Sequence, residues 1–71
     1  MATMATVVQI GERLRQLRER KALRQEDLAE LAGVGKNTVN RIEKNRTEPH
    51  MTTVRKLAEA LGVDPAELVE G

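Results

Sequence analysis

LAGVGKNTVNRIE, residues 31–43, sets two glycines two positions apart between runs that otherwise read as helix. Gly33 stands where a helix wants a residue free to take positive φ, so the run before it ends there. Val34 is the one apolar residue of the break and is expected to drop into the core as a pin. Gly35 is a tolerable N-cap for a new helix from about Lys36. Two helices joined by almost no loop must cross steeply. That arrangement is a helix-turn-helix, which offers its second helix to a DNA groove.

The second helix has two unlike sides. At about 100° per residue from Lys36, Val39 falls near 300° and Ile42 near 240°, which is the inward side. Lys36, Asn37, Asn40, Arg41 and Lys44 fall between about 0° and 140°, on a face without acids. Lys and Arg can donate to guanine O6 and N7, and Asn can pair with adenine N6 and N7. Glu43, near 340°, sits at the boundary and needs a partner.

Outward from this pair, Val7, Ile10, Leu14 and Leu17 recur at helical spacing, predicting a first helix over residues 7–21. Leu28, Leu31 and Ala32 predict the inner stripe of the second, starting near Gln25. Met51, Val54, Leu57, Ala58 and Leu61 predict a fourth, ended by Gly62. DPAE at 64–67 announces a fifth, with Asp64 as N-cap, Pro65 at the first helical position and Glu67 placed to close a capping box. Nothing alternates with period two. The expectation is all-α: a compact domain of five helices over residues 7–71, preceded by a flexible segment 1–6.

Composition narrows the function. With 71 residues, no cysteine and no Phe, Trp or Tyr, the core is built from aliphatic side chains, without disulfide or thiolate metal site. The missing rings count against modules that stack bases on aromatics. One histidine, no serine and no Gly-rich phosphate loop leave catalysis without support. No cofactor or metal is expected, and His50 reads as a helix-start or surface residue. No apolar run approaches a membrane span and the start lacks signal-peptide features, so a cytoplasmic protein is expected. Net charge is +1, but unevenly spread: +4 over residues 1–25, −3 over 26–35, +4 over 36–56 and −4 over 57–71. A basic face opposite an acidic end is the footprint of a polyanion partner, although solvated helix faces alone give a similar pattern.

IGERLRQLRERKALRQEDLAELAGVGKNTVNRIEKNRTEP at 10–49 and LAEALGVDPAEL at 57–68 resemble the lambda repressor/Cro-type helix-turn-helix family, also called the XRE family. The resemblance covers residues 10–69: the opening helix, the Gln-initiated second helix, the AGV turn, the RIE close of the third and the last two helices. It implies a lambda-repressor-like fold and a sequence-specific regulator of transcription, a repressor, that binds double-stranded DNA. Lys36, Asn37 and Arg41 then face base edges, with Thr38 and Asn40 beside them. Gln25 resembles the glutamine that binds a phosphate at the second helix's positive end. Lys44, Asn45 and Arg46 occupy the backbone-contacting loop. Arg18 resembles the arginine that pairs with Glu43; the alternative is that it is free to contact DNA.

The chain departs from the family pattern at several places. Arg24 replaces the usual cap of the second helix and either reaches a phosphate or is a plain surface residue. Gly35 replaces a Ser or Thr cap. Asn45 replaces a common glycine and, as the next-best left-handed residue, should keep the turn. His50 stands where a serine often caps the fourth helix.

One recognition helix reads few base pairs, so a two-fold homodimer is expected, weak without DNA, with Leu68 and Val69 in the acidic C-terminal part as its surface. An antitoxin with a toxin partner, or a restriction-modification controller, would use the same domain. A protein-interaction module with a vestigial helix-turn-helix is the reading from another class.

Overall fold

The computed structural model describes residues 10–69. Residues 1–9, including the expected flexible segment 1–6 and Val7, lie outside the described residues, as do 70 and 71. Five α-helices follow in order: α1 Ile10–Arg20, α2 Gln25–Ala32, α3 Lys36–Glu43, α4 Met51–Leu61 and α5 Pro65–Val69. Among the described residues there is no strand.

The helices enclose an aliphatic core. Leu14, Leu28, Val39, Ile42, Val54, Leu57, Leu61 and Leu68 are all but closed to solvent, contributed by all five helices. Helix α2 packs on α3 and α4, while α1 packs on α3 and α5. Helix α3 is therefore wedged between α1 and α2, its outer side left open.

The first four helices stop in the same way. In each, the amide two residues past the cap bonds back five positions and the amide before it bonds back three, the Schellman pattern. Leu23 N donates to Arg18 O at 3.2 Å, Val34 N to Ala29 O at 3.0 Å, Arg46 N to Arg41 O at 2.9 Å and Val63 N to Ala58 O at 3.0 Å. The left-handed position is Gly33 (φ 72°) after α2 and Gly62 (φ 73°) after α4, but Ala22 (φ 57°) after α1 and Asn45 (φ 56°) after α3. The next residue is Leu23, Val34 or Val63 in three of these turns, and each packs on the core. This is the pinning role expected of Val34. After α3 it is Arg46, exposed to solvent, so there the chain leaves the core instead of re-entering it.

Two expected core residues lie outside. Leu31 is 62% exposed and Met51 53%. Leu28, Ala29 and Ala32 form the buried side of α2; at about 100° per residue that side is centred near +45° from Leu28, and Leu31 falls about 105° away from its centre. Met51 flanks its stripe at the open first turn of α4. Leu68 is 2% exposed, so it fills the core of its own chain rather than offering a surface to a second copy, whereas Val69 is 42% exposed. At α5, Asp64 Oδ1 accepts from Ala66 N at 3.0 Å as an N-cap does. The Glu67 carboxylate lies 3.9 Å from Arg13 Nη2, linking α5 to α1.

Candidate nucleic-acid interface

Gly35 starts α3 without a side-chain cap, and only three residues separate α3 from α2. The helix is held instead at its far end. Arg18, from α1, donates through Nε to Glu43 Oε2 at 2.6 Å and through Nη2 to Glu43 Oε1 at 3.0 Å. Its Nη1 donates to Leu23 O at 2.8 Å, so one guanidinium ties α3 to the turn after α1. The two side chains are 11% and 4% exposed. The hydrogen bonds to Glu43 raise the Arg18 pKa against the opposing effect of burial, so the guanidinium stays charged.

The second hold involves a residue that spacing alone did not single out. Gly11 N donates to Asn45 Oδ1 at 3.2 Å, so the side chain after α3 satisfies an amide in the first described turn of α1. The fit leaves no room for a side chain at Gly11: a Cβ there would overlap Ile42 O and stand 2.7 Å from Glu43 O. No local pattern could reveal this contact, because its partners are 34 residues apart.

Lys36, Asn37 and Arg41 are exposed on the outer side of α3, and Thr38 and Asn40 are half-buried beside them. Among the described residues Arg41 has no ion-pair partner, and Lys36 Nζ is 3.7 Å from Glu26 Oε1. Lys44 and Arg46 are exposed just past the helix. Asn45, also exposed overall, turns its side-chain oxygen to α1. Gln25 opens α2 half-buried; its Nε2 donates to Glu43 Oε1 at 3.0 Å and its Oε1 accepts from Asn40 Nδ2 at 3.1 Å. Among the expected phosphate ligands, Arg24 is engaged elsewhere. Its Nε and Nη2 reach the two Asp27 oxygens at 3.0 Å each, and Nη1 lies 3.1 Å from Glu26 Oε2. Asp27 Oδ2 also accepts from Arg24 N at 2.9 Å, which restores a cap to α2. The Arg24 guanidinium and then its backbone amide hold the Asp27 carboxyl below the usual carboxylate range. Two carboxylates thus occupy the guanidinium that sequence had offered to a phosphate.

The resulting surface pairs an exposed Lys–Asn–Arg face with cations at its C-terminal end, while the one acid of α3 is turned inward to Arg18. Among the described residues no cluster of three or more His, Asp or Glu could hold a metal, and no helix is long and apolar enough to cross a membrane.

Five helices, a three-residue turn between α2 and α3, and an outward polar face on α3 define a helix-turn-helix domain of the lambda repressor/Cro type. The chain belongs to the helix-turn-helix domain family, whose pattern matches residues 9–70. It is 47% identical over 59 residues to the cryptic phage CTXphi transcriptional repressor RstR of Vibrio cholerae, an alignment covering 83% of this chain and 53% of that protein. It is 34% identical over 64 residues to the HTH-type transcriptional regulator DdrOP3 of Deinococcus deserti, covering 90% of this chain and 50% of the other. The chain thus spans about half the length of these two relatives. Among solved structures, the restriction-modification controller protein C.AhdI from Aeromonas hydrophila superposes with a TM-score of 0.85 at 40% identity, covering 92% of this chain and 98% of that one. The P22 c2 repressor, solved with a synthetic operator, gives a TM-score of 0.82 at 32% identity over 87% of this chain and 94% of its own.

Proposed function

We propose that this protein is a sequence-specific regulator of transcription, a repressor, that places α3 in the major groove of a two-fold symmetric operator. The observation that carries the reading is the outer side of α3, where Lys36, Asn37 and Arg41 stand exposed while Glu43 is drawn away to Arg18. Lys44 and Arg46 follow as phosphate ligands, and Gln25 keeps a second amide hydrogen for a phosphate at the start of α2. Two copies bind one operator, associating weakly until DNA holds them in register. Val69, exposed in the acidic C-terminal part, belongs to the contact between copies. Selection of bound sites from a random duplex library tests the function: a recovered motif with two-fold symmetry is the expected result. Recovery of no motif rules it out.

A restriction-modification controller is the second reading. It is favoured by the likeness to C.AhdI, which this chain matches over 98% of that protein's length. A methyltransferase gene beside this one, with the selected motif upstream of it, would decide for the controller. A toxin gene in that place would decide for an antitoxin.

A further inference from the structure

Both Glu43 oxygens accept hydrogen bonds from the Arg18 guanidinium, so they meet their other neighbours as acceptors. Gln25 therefore has to turn its amide nitrogen to them, and Nε2 lies 3.0 Å from Glu43 Oε1. That choice leaves Gln25 Oε1 facing α3. Asn40 has to answer with a donor, and its Nδ2 lies 3.1 Å away. Reversing either amide would set oxygen against oxygen or one NH2 against another. The direction of every hydrogen bond in the series Arg18, Glu43, Gln25, Asn40 is thus fixed from its buried end.

Asn40 is left with Oδ1 and its second Nδ2 hydrogen. Among the described residues Oδ1 has no hydrogen-bond partner, and no buried side-chain oxygen or nitrogen is unsatisfied, so Oδ1 keeps some exposure to solvent; Asn40 is half-buried, and helical spacing sets it on the outer side of α3. We propose that Asn40 is a specificity-determining residue, held by Gln25 and Glu43 with its carbonyl toward the groove, that selects adenine and rejects guanine. The proposal rests on the DNA-binding function above. Adenine sets an N6 donor beside the N7 acceptor, matching a carbonyl beside an N–H; guanine sets two acceptors there, N7 and O6. A freely turning asparagine could offer its NH2 to guanine. The held one sets an oxygen beside its remaining N–H, and guanine has no donor there to meet that oxygen.

Operator affinities of the wild type, Asn40→Ala and Gln25→Met test this, with melting curves to confirm folding. Asn40→Ala should erase base preference at one position of each half-site. At that position the wild type should favour adenine over guanine about tenfold or more. Gln25→Met, which leaves Asn40 free to turn, should bring that ratio toward one while ratios at other positions hold. Any uniform weakening from a lost phosphate contact cancels in the ratio. Gln25→Ala serves in the same way if Gln25→Met melts too low. An unchanged adenine-to-guanine ratio in the Gln25 variant, a wild-type preference for guanine, or no position lost in Asn40→Ala would each overturn the proposal. NMR of the DNA-free protein separates this failure from that of the function. Slow exchange of one Asn40 side-chain amide hydrogen, lost in Gln25→Met, shows the holding device by itself, and ordinary fast exchange in the wild type overturns it. A wild type that selects no duplex removes the base-reading role together with the regulatory function, even where NMR finds the amide held.

Discussion

A single methyl group at position 11 would meet the carbonyls that end α3. Backbone cannot yield as a flexible side chain can, so Gly11→Ala should cost at least the 1–3 kcal/mol typical of overpacking, or roughly a 10 °C fall in Tm for a domain this size. Calorimetry or a circular dichroism melt would show it; an unchanged Tm would mean that α1 and α3 are less closely apposed. Ala22 is the reverse case. It holds φ at 57°, where an L-residue is penalised by about 1–2 kcal/mol, and a Cβ-free residue avoids that at an entropic cost of about 0.5–1 kcal/mol. Ala22→Gly should therefore stabilise the fold by a few tenths to about 1 kcal/mol, read from the shift of a urea midpoint. Among the described residues Arg41 has no ion-pair partner, so its substitution should leave the fold alone. Arg41→Ala should cost about 1–3 kcal/mol on the selected operator and much less on random duplex. Equal losses on the two would make Arg41 a phosphate ligand instead of a base reader.

At the scale of the element, α3 depends on its neighbours. It has eight residues and no side-chain cap, and isolated helices of that length do not persist in water. The Arg18–Glu43 pair is nearly closed to solvent, so removing one partner should strand the other at a cost of about 3–5 kcal/mol. Arg18→Met and Glu43→Gln, combined in a double-mutant cycle, should show strong coupling, and additive effects would refute it. The first four helices were legible because each buries apolar residues at helical spacing and the fifth because of its DPAE start, and Gly33 and Gly62 mark the ends of α2 and α4. The outward positions of Leu31 and Met51 were not. In an eight-residue helix, three buried positions fix the inner side, and Leu28, Ala29 and Ala32 outvote a stripe drawn through Leu31. Arg24 was left open by its residue type alone, and its pairing with Asp27 three places on came into view only with the fold.

Across the whole molecule the decisive property is where the charges stand. Lys36, Arg41, Lys44 and Arg46 are exposed on α3 and just past it, whereas Glu59, Asp64 and Glu67 are exposed on α4 and around α5. The logarithm of operator affinity should fall linearly with the logarithm of salt concentration. Lys44→Ala or Arg46→Ala should each reduce that slope by about one without altering sequence preference. A flat salt response would be incompatible with a polyanion partner. Leu68 was the expectation at this scale that the fold overturned. A core without aromatic rings needs every large aliphatic side chain it can enclose, and Leu68 is enclosed. What could be read from the sequence of α3 was which residue types lie on its outer side. The series from Glu43 through Gln25 to Asn40 could not be read, because its members come from two helices and meet only when those cross.

Helix α1 holds the far end of α3 through two contacts, and that sets an order in time. Gly11–Asn45 and Arg18–Glu43 join residues 34 and 25 apart, whereas α2 and α3 are separated by three residues. Closing the longer loops costs more chain entropy, so the α2–α3 corner forms before α1 is drawn onto it. On the ribosome α1 is made before α3. The far end of α3 is held only when the earlier-made helix folds back over the later one, so a chain stalled before Asn45 carries most of the outer face of α3 without the Gly11–Asn45 contact.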